Sequence, residues 1–351
     1  MELFNPFAQR SLTLRNRIVI APMCQYSALD GLPDDWHLVH LGSRAVGGAA
    51  AVVAEATAVS AQGRISPGDT GLWNEAQMAA WQPITSFIRS QGAIAGVQLA
   101  HAGRKASAQR PWEGGGPLPD GQGWTTVAPS ALPFDQHWHT PQALDTDGLR
   151  QVVEDFRAAA QRALAAGFEL IEVHAAHGYL LHQFLSPLSN HRDDAYGGSF
   201  DNRTRLVREV LAAVREVWPA ALPLWLRLSA TDWVEGGWSV DESVQLAREV
   251  KPLGVDLIDV SSGGLVPHVK IPVGPGYQVP FAARIRREAQ IAVGAVGLIT
   301  EAAQAAAIVE QGEADLVLIA RESLRDPYFP RRVAQELGES LAAPLQYQRA
   351  W

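Results

Sequence analysis

The chain has 351 residues, 47% of them apolar, which is enough for one large domain with a substantial buried core. A formal net charge of -8 and a pI near 5.7 give no basic footprint for nucleic acid or an anionic membrane, so the expected partner is a small molecule. Cys24 is the only cysteine, which rules out an intramolecular disulfide and suits a reducing, cytoplasmic compartment. The opening MELFNPFAQR lacks a basic start followed by an apolar run, and the most apolar later stretch, 45–59, is interrupted by Glu55. Neither a signal peptide nor a membrane span is expected.

Short β-branched or apolar runs recur at 17–23, 50–59, 94–100, 168–175, 223–229, 257–262, 291–297 and 316–321. Segments of helical periodicity follow them at 37–46, 75–91, 147–166, 202–217, 240–253, 281–288, 301–311 and 329–337. Strict alternation predicts a parallel sheet with crossover helices, and eight units are the number that closes a (β/α)8 TIM barrel; the alternative is an open doubly wound sheet. The stretch 103–146, rich in Gly, Pro and Trp, is far longer than an ordinary βα loop. It follows the third strand and is read as an insertion over the barrel mouth, within a single domain spanning 1–351.

Barrel enzymes keep their chemistry at the carboxyl ends of the strands. That rim receives Pro22, Met23, Cys24 and Tyr26 from strand 1, Glu55, Ala56 and Thr57 from strand 2, and Gln98 and His101 from strand 3. Strand 4 delivers His174, His177 and Tyr179, strand 5 Arg227, and strand 8 Arg321. In HAAHGY the two imidazoles can converge only if the chain leaves β geometry after His174, and Gly178 permits such a turn. Two neutral imidazoles can donate hydrogen bonds to one carbonyl oxygen and stabilise charge growing there, with Tyr179 as a proton source. A zinc site fits poorly: HAAH is not a helical HExxH, and strand 1 ends in APMCQY without an HxH. His137 and His139 lie in the insertion and read as surface-loop residues.

A phosphate site in a barrel is usually built by the loops after strands 7 and 8. Here they read VGAVGLIT and IARESLRDP. Gly294 and Gly297 would let a phosphate approach backbone amides, Thr300 is a candidate N-cap, and Arg321 adds charge; tight packing is the alternative role for the glycines. No GxGxxG opens a βα unit, so a dedicated dinucleotide domain is not expected.

Taken together, SLTLRNRIVIAPMCQYS, VQLAHAGRKA, IEVHAAHGYLLHQFLSPLSNHRDDAYGGSFDNR, LIDVSSGGLV, GAVGLIT and QYQRAW resemble the Old Yellow Enzyme family, more narrowly its bacterial thermophilic-like branch. The resemblance covers nearly the whole chain. It implies non-covalent FMN lined by Ala21, Pro22, Met23 and Cys24, with Ala56 and Gln98 at the pyrimidine side and Arg227 near the N1 edge. It also implies that Gly297, Ala320 and Arg321 hold the phosphate, and that Ser261 to Gly264 contribute backbone beside the ribityl chain. Cys24 would tune the flavin and contact substrate, His174 and His177 would bind the substrate's activating oxygen, Tyr179 would protonate the α-carbon, and Tyr26 would add a hydrogen bond. The motif from Ser189 to Arg203 looks architectural. In this branch the C-terminal arm, here 340–351, enters a neighbouring subunit's site, which implies a homodimer or homotetramer with Arg349 and Trp351 acting in trans. Another member of the branch carries a tryptophan where this chain has Val296, which bears on pocket shape.

The expected activity is ping-pong reduction of an activated C=C bond, in an α,β-unsaturated carbonyl or a nitro or nitrate ester compound, with NADPH or NADH as hydride donor. Two readings compete. Another flavin barrel with an iron–sulfur cluster needs more cysteines than Cys24 supplies, and a non-catalytic FMN carrier would have no use for Tyr179, His174 and His177 together.

Overall fold

The computed structural model describes residues 1–351 and contains a closed eight-stranded parallel barrel. Its strands are β1 (Ile18–Ile20), β2 (Ala51–Ala58), β3 (Ile94–Ala100), β4 (Leu170–Ala175), β5 (Leu224–Ser229), β6 (Leu257–Ser261), β7 (Ala292–Val296) and β8 (Leu316–Ile319). Each neighbours the next in sequence, and β8 closes on β1 through Ile319 opposite Ile20. The (β/α)8 expectation is met. These strands read as nearly unbroken apolar runs because crossover helices cover the outside and side chains fill the inside.

Helices α1 (Asp35–Val46), α2 (Glu75–Ser90), α3 (Thr146–Ala165), α5 (Phe200–Val217), α6 (Val240–Val250), α7 (Val279–Ala289), α8 (Ala302–Glu310) and α10 (Phe329–Glu336) lie between and after the strands. Two short helices had no clear periodic signal, α4 (Leu180–Leu185) and α9 (Arg321–Arg325). Capping fixes several starts: Asn74 and Gln77 bond reciprocally before α2, as do Ser239 and Glu242 before α6. No helix is long and apolar enough to cross a membrane.

The core forms two shells. Seventy buried residues pack mainly between sheet and helices, and a second cluster of 13, including Val53, Leu170, Trp225 and Leu257, gathers separately. An antiparallel hairpin, Phe7–Gln9 with Leu12–Leu14, joins that second cluster: Trp225 Nε1 donates to Gln9 Oε1 at 2.6 Å. The sequence reading missed this hairpin because three-residue strands carry too little alternation.

Two strand ends are corrected. Strand 1 stops at Ile20 rather than continuing to 23, because Pro22 has no N–H for the ladder. Strand 8 stops at Ile319, and Arg321 begins α9 instead of ending a strand. The segment 103–146 holds two short 3-10 turns and a parallel pair, Val127–Ala128 with Gln142–Ala143, before α3. It is tied to the loop after β6, since Arg104 Nη2 donates to Leu265 O at 2.8 Å and Asp135 meets His268 at 3.0 Å.

Candidate active site

The turn after β4 is fixed at almost every backbone group. His177 adopts φ +58° and Gly178 φ +73°, and a Cβ on Gly178 would sit 2.2 Å from Gly264 O, so the close approach of the β6 loop requires glycine there. The His177 N–H donates to Ser229 Oγ at 2.9 Å, while its carbonyl accepts from Lys105 Nζ at 2.8 Å. The Gly178 N–H donates to His182 Nδ1 at 2.9 Å, so the His182 proton resides on Nε2, which donates to Asp232 Oδ1 at 2.8 Å. Ser186 and the Trp238 N–H donate to the other oxygen of Asp232. The left-handed residue is thus over-determined by buried partners, the condition under which such strain persists.

This turn swings His177 back against His174, their rings 5.2 Å apart and nearly perpendicular, with the Tyr179 ring 5.1 Å from His174 and also edge-on. Burial, then the nearby Arg227 charge, holds both imidazoles well below the usual histidine range, so they are neutral at pH 7. Burial pushes the Tyr179 phenol up, which keeps its proton in place. The two histidines do not present equivalent donors. Ala176 N–H points at His174 Nδ1 (3.3 Å), leaving Nε2–H of His174 free, whereas His177 Nε2 is engaged with Ser261 Oγ at 2.7 Å. His177 can offer a second donor only as the Nδ1–H tautomer, with Ser261 donating to Nε2.

A cavity of about 320 Å³ opens between β5, β6, β7 and β8 and is lined by His177, Arg227, Ser261, Gln278, Gly297 and Arg321 among others. Ala320 also lines it. Gly297 has φ +123°, and a Cβ there would come within 2.8 Å of Gln278. Gly294 plays a different part. Its Cβ would strike Leu318 at 2.3 Å inside the barrel, so the packing role applies to it. Thr300 is not the cap of α8 either: the helix starts after Glu301 without a side-chain cap, and the Thr300 N–H donates to Gln304.

At the β1 end, Pro22, Met23, Cys24 and Tyr26 are half-buried, and Ala21 is buried. Burial, then the Glu55 charge, pushes the Cys24 thiol well above its ordinary range, so it is a neutral thiol. Glu55 itself occupies a register shift between Ala54 and Ala56 and accepts from the Gln25 N–H. Ala56 and Gln98 are opposite one another on β2 and β3 and buried, at 3% and 2% exposure, but neither they nor the β1 residues line the cavity. Tyr26 meets Trp112 of the insertion edge-on at 6.0 Å.

Arg349 and Trp351 are not brought to this site within the chain. Trp351 stacks on Tyr328, with ring centroids 6.4 Å apart, and lies under Arg331. Sequence reasoning also missed Lys105, whose ammonium bonds His177 O and Gly264 O and faces the rings of Tyr179 and Phe134. Burial, then Arg104, lowers its pKa to about 8. A lysine two residues into the insertion was the available signal.

Buried neutral histidines carry a stability cost in acid. His40, His101, His174 and His177 all have depressed values, to about 3 for His40 and about 4 for His101, each through burial first. Their contribution is complete above the unfolded value near 6.5 and is lost as pH falls towards the folded values. Asp69, raised by burial to about 7, and the raised Glu172 act in the opposite sense, being protonated when folded. The four depressed histidines outnumber the raised carboxyls Asp69, Glu172 and Asp259, so unfolding at pH 5 takes up protons and stability falls as the pH drops from 7 to 5, by about 1.4 kcal/mol per pH unit for each net proton. Urea midpoints at pH 7 and pH 5 check this; equal midpoints would show that these imidazoles are not buried neutral.

The sequence profile described as "NADH:flavin oxidoreductase / NADH oxidase family" matches residues 2–340. An NADPH dehydrogenase of Listeria innocua is 49% identical over 352 residues, covering 100% of this chain and 99% of the relative. One from a Geobacillus strain is 48% identical over 351 residues, covering 99% and 98%. Among solved structures, morphinone reductase in complex with tetrahydroNAD superposes with a TM-score of 0.80 at 31% identity, covering 97% of this chain and 92% of that one. The chain belongs to the NADH:flavin oxidoreductase family and is Old Yellow Enzyme-like, as its motifs suggested. It is an oxidoreductase, and the family implies a flavin and a nicotinamide.

Proposed function

We propose that the chain is an FMN-dependent ene-reductase that uses NADPH to reduce the C=C bond of α,β-unsaturated carbonyl compounds in a ping-pong cycle. The observation that carries this is the continuity of two features: the cavity lined by Arg227, Gly297, Ala320 and Arg321 reaches His177, which abuts His174 and Tyr179. The residues fit a flavin mononucleotide. Arg227 brings a guanidinium to the cavity wall, Gly297 leaves room for close backbone approach, and Arg321 supplies charge for a phosphate. Ala21, Pro22, Met23, Cys24, Ala56 and Gln98 are assigned to the ring system on the same reading.

When bound, FMN supplies a two-electron carrier able to take hydride from a nicotinamide and return it to an acceptor. The protein's part is binding, orientation and proton supply. His174 Nε2–H donates to the acceptor's carbonyl or nitro oxygen, withdrawing electron density from the β-carbon. His177 adds a second donor in its Nδ1–H tautomer, Tyr26 a third, and Tyr179 gives its phenolic proton to the α-carbon. Cys24, held as a thiol, packs against substrate and ring without forming a covalent bond. The nicotinamide and the acceptor take turns at one site.

Cytoplasmic location and a homodimer or homotetramer, with the arm 340–351 bringing Arg349 and Trp351 to a neighbour's site, complete the proposal. An anaerobic visible spectrum tests its core. Addition of NADPH is expected to bleach the oxidised flavin bands, and 2-cyclohexen-1-one to restore them; bands that stay bleached would reject the acceptor class, and a protein that cannot take up FMN would reject the whole reading.

A further inference from the structure

Four adjacent strands bring two acids, a guanidinium and an amide together inside the barrel wall beneath the cavity. Gln98 on β3 stands opposite Glu172 on β4, and Arg227 on β5 opposite Asp259 on β6. Glu172 and Asp259 are fully buried at 0% exposure, and Gln98 and Arg227 nearly so at 2% and 6%. Gln98 Nε2 donates to Glu172 Oε1 at 2.7 Å, and Arg227 Nε lies 3.1 Å from Asp259 Oδ2.

The remaining polar atoms are unsatisfied: Glu172 Oε2 and both oxygens of Asp259 have no hydrogen-bond donor, and the Arg227 Nε contact lacks hydrogen-bond geometry. Ionised carboxylates only accept, so they cannot satisfy each other, and two of them against one guanidinium leave a net buried charge. One proton removes both difficulties. It turns an unpartnered oxygen into an O–H donor and makes the cluster neutral.

We propose that Glu172 and Asp259 hold one proton between them, so that together they carry a single negative charge that offsets Arg227 and sets how much positive charge Arg227 presents to a flavin in the cavity. Glu172 and Asp259 are then positioning residues for electron transfer, acting through Arg227. Burial raises both carboxyls and lifts Glu172 well above the usual range, with the Asp259 charge adding to it, while a side-chain hydrogen bond between the two acids raises Glu172 and lowers Asp259. The flavin part rests on the cavity being the FMN site; the shared proton does not.

Infrared difference spectra of wild type against Glu172→Gln and against Asp259→Asn, in the carboxylic C=O region at pH 7, test the proton. Both differences are expected to show one protonated-acid band present only in wild type, because the remaining carboxyl ionises against Arg227 in either variant; Asp69 cancels in the subtraction. The bound flavin's reduction potential tests the charge. Each single variant keeps one negative charge and should leave the potential near that of wild type, whereas the double variant should favour reduced flavin roughly tenfold or more at a fixed reference potential.

A missing acid band, or single variants that each move the potential half as far as the double, would mean that both acids are ionised and would overturn the proposal. If the double variant does not fold, the single variants still separate one charge from two. If no variant and no wild type retains FMN, the functional reading fails while the infrared band still decides the proton.

Discussion

Tyr179→Phe is expected to slow return of the oxidised flavin bands by an enone by roughly 10²- to 10⁴-fold, while bleaching by NADPH proceeds at the wild-type rate. The asymmetry follows from what the phenol can do. It is held protonated by burial, it lies 5.1 Å from His174, and the Lys105 ammonium faces its ring 5.1 Å away. Oxidation of a nicotinamide releases hydride and calls for no proton at that atom. Reduction of a C=C bond needs one proton at the α-carbon for each hydride at the β-carbon. Stopped-flow absorbance of the two half-reactions measured separately gives the answer, and an unchanged second half-reaction would remove Tyr179 from the proton step.

Most of the barrel is legible in the sequence for a physical reason: strands covered on both sides must be apolar throughout, so LIEVHA, LWLRLS and LIDVS stand out between amphipathic helices. What was not legible depends on contacts distant in sequence or on runs too short to show a period. The hairpin Phe7–Gln9 with Leu12–Leu14 is held by contacts distant in sequence, among them Gln9 to Trp225, 216 residues away, and Arg10 to Asp256. Helices α4 and α9 are one or two turns long, and α4 is buried along its whole length, so it has no polar face to produce a moment.

The site shows the same division. HAAHGY announces a turn through its own residues, because a glycine follows two histidines at a strand end. The Asp232–His182 pair that pins the turn, the Lys105 contact with His177 O, and the turn of His177 towards Ser261 are all tertiary. A signal for the Glu172–Arg227–Asp259 cluster was nonetheless present. Each strand has one charged residue amid apolar neighbours, and a charge in a fully buried strand must find a partner on the next one.

The unequal histidines lead to the second large effect. His174→Ala is expected to cost about 10²- to 10³-fold in reduction of the enone, the usual loss for one oxyanion donor, and His177→Ala markedly less. His174 offers a free Nε2–H because its Nδ1 already accepts from Ala176, whereas His177 must first have Ser261 donate to its Nε2. Removing Ser261's hydroxyl takes away the donor that holds His177 in that tautomer, so Ser261→Ala should lose no more than His177→Ala. Both rings are neutral because burial and Arg227 prevent protonation, so neither acts as a cation and the rate should not follow an imidazolium titration between pH 6 and 8. Single-turnover rates for His174→Ala, His177→Ala and Ser261→Ala with one enone decide the matter. Equal losses for the two histidines would mean that substrate binding turns His177 away from Ser261, so that both imidazoles face the oxygen.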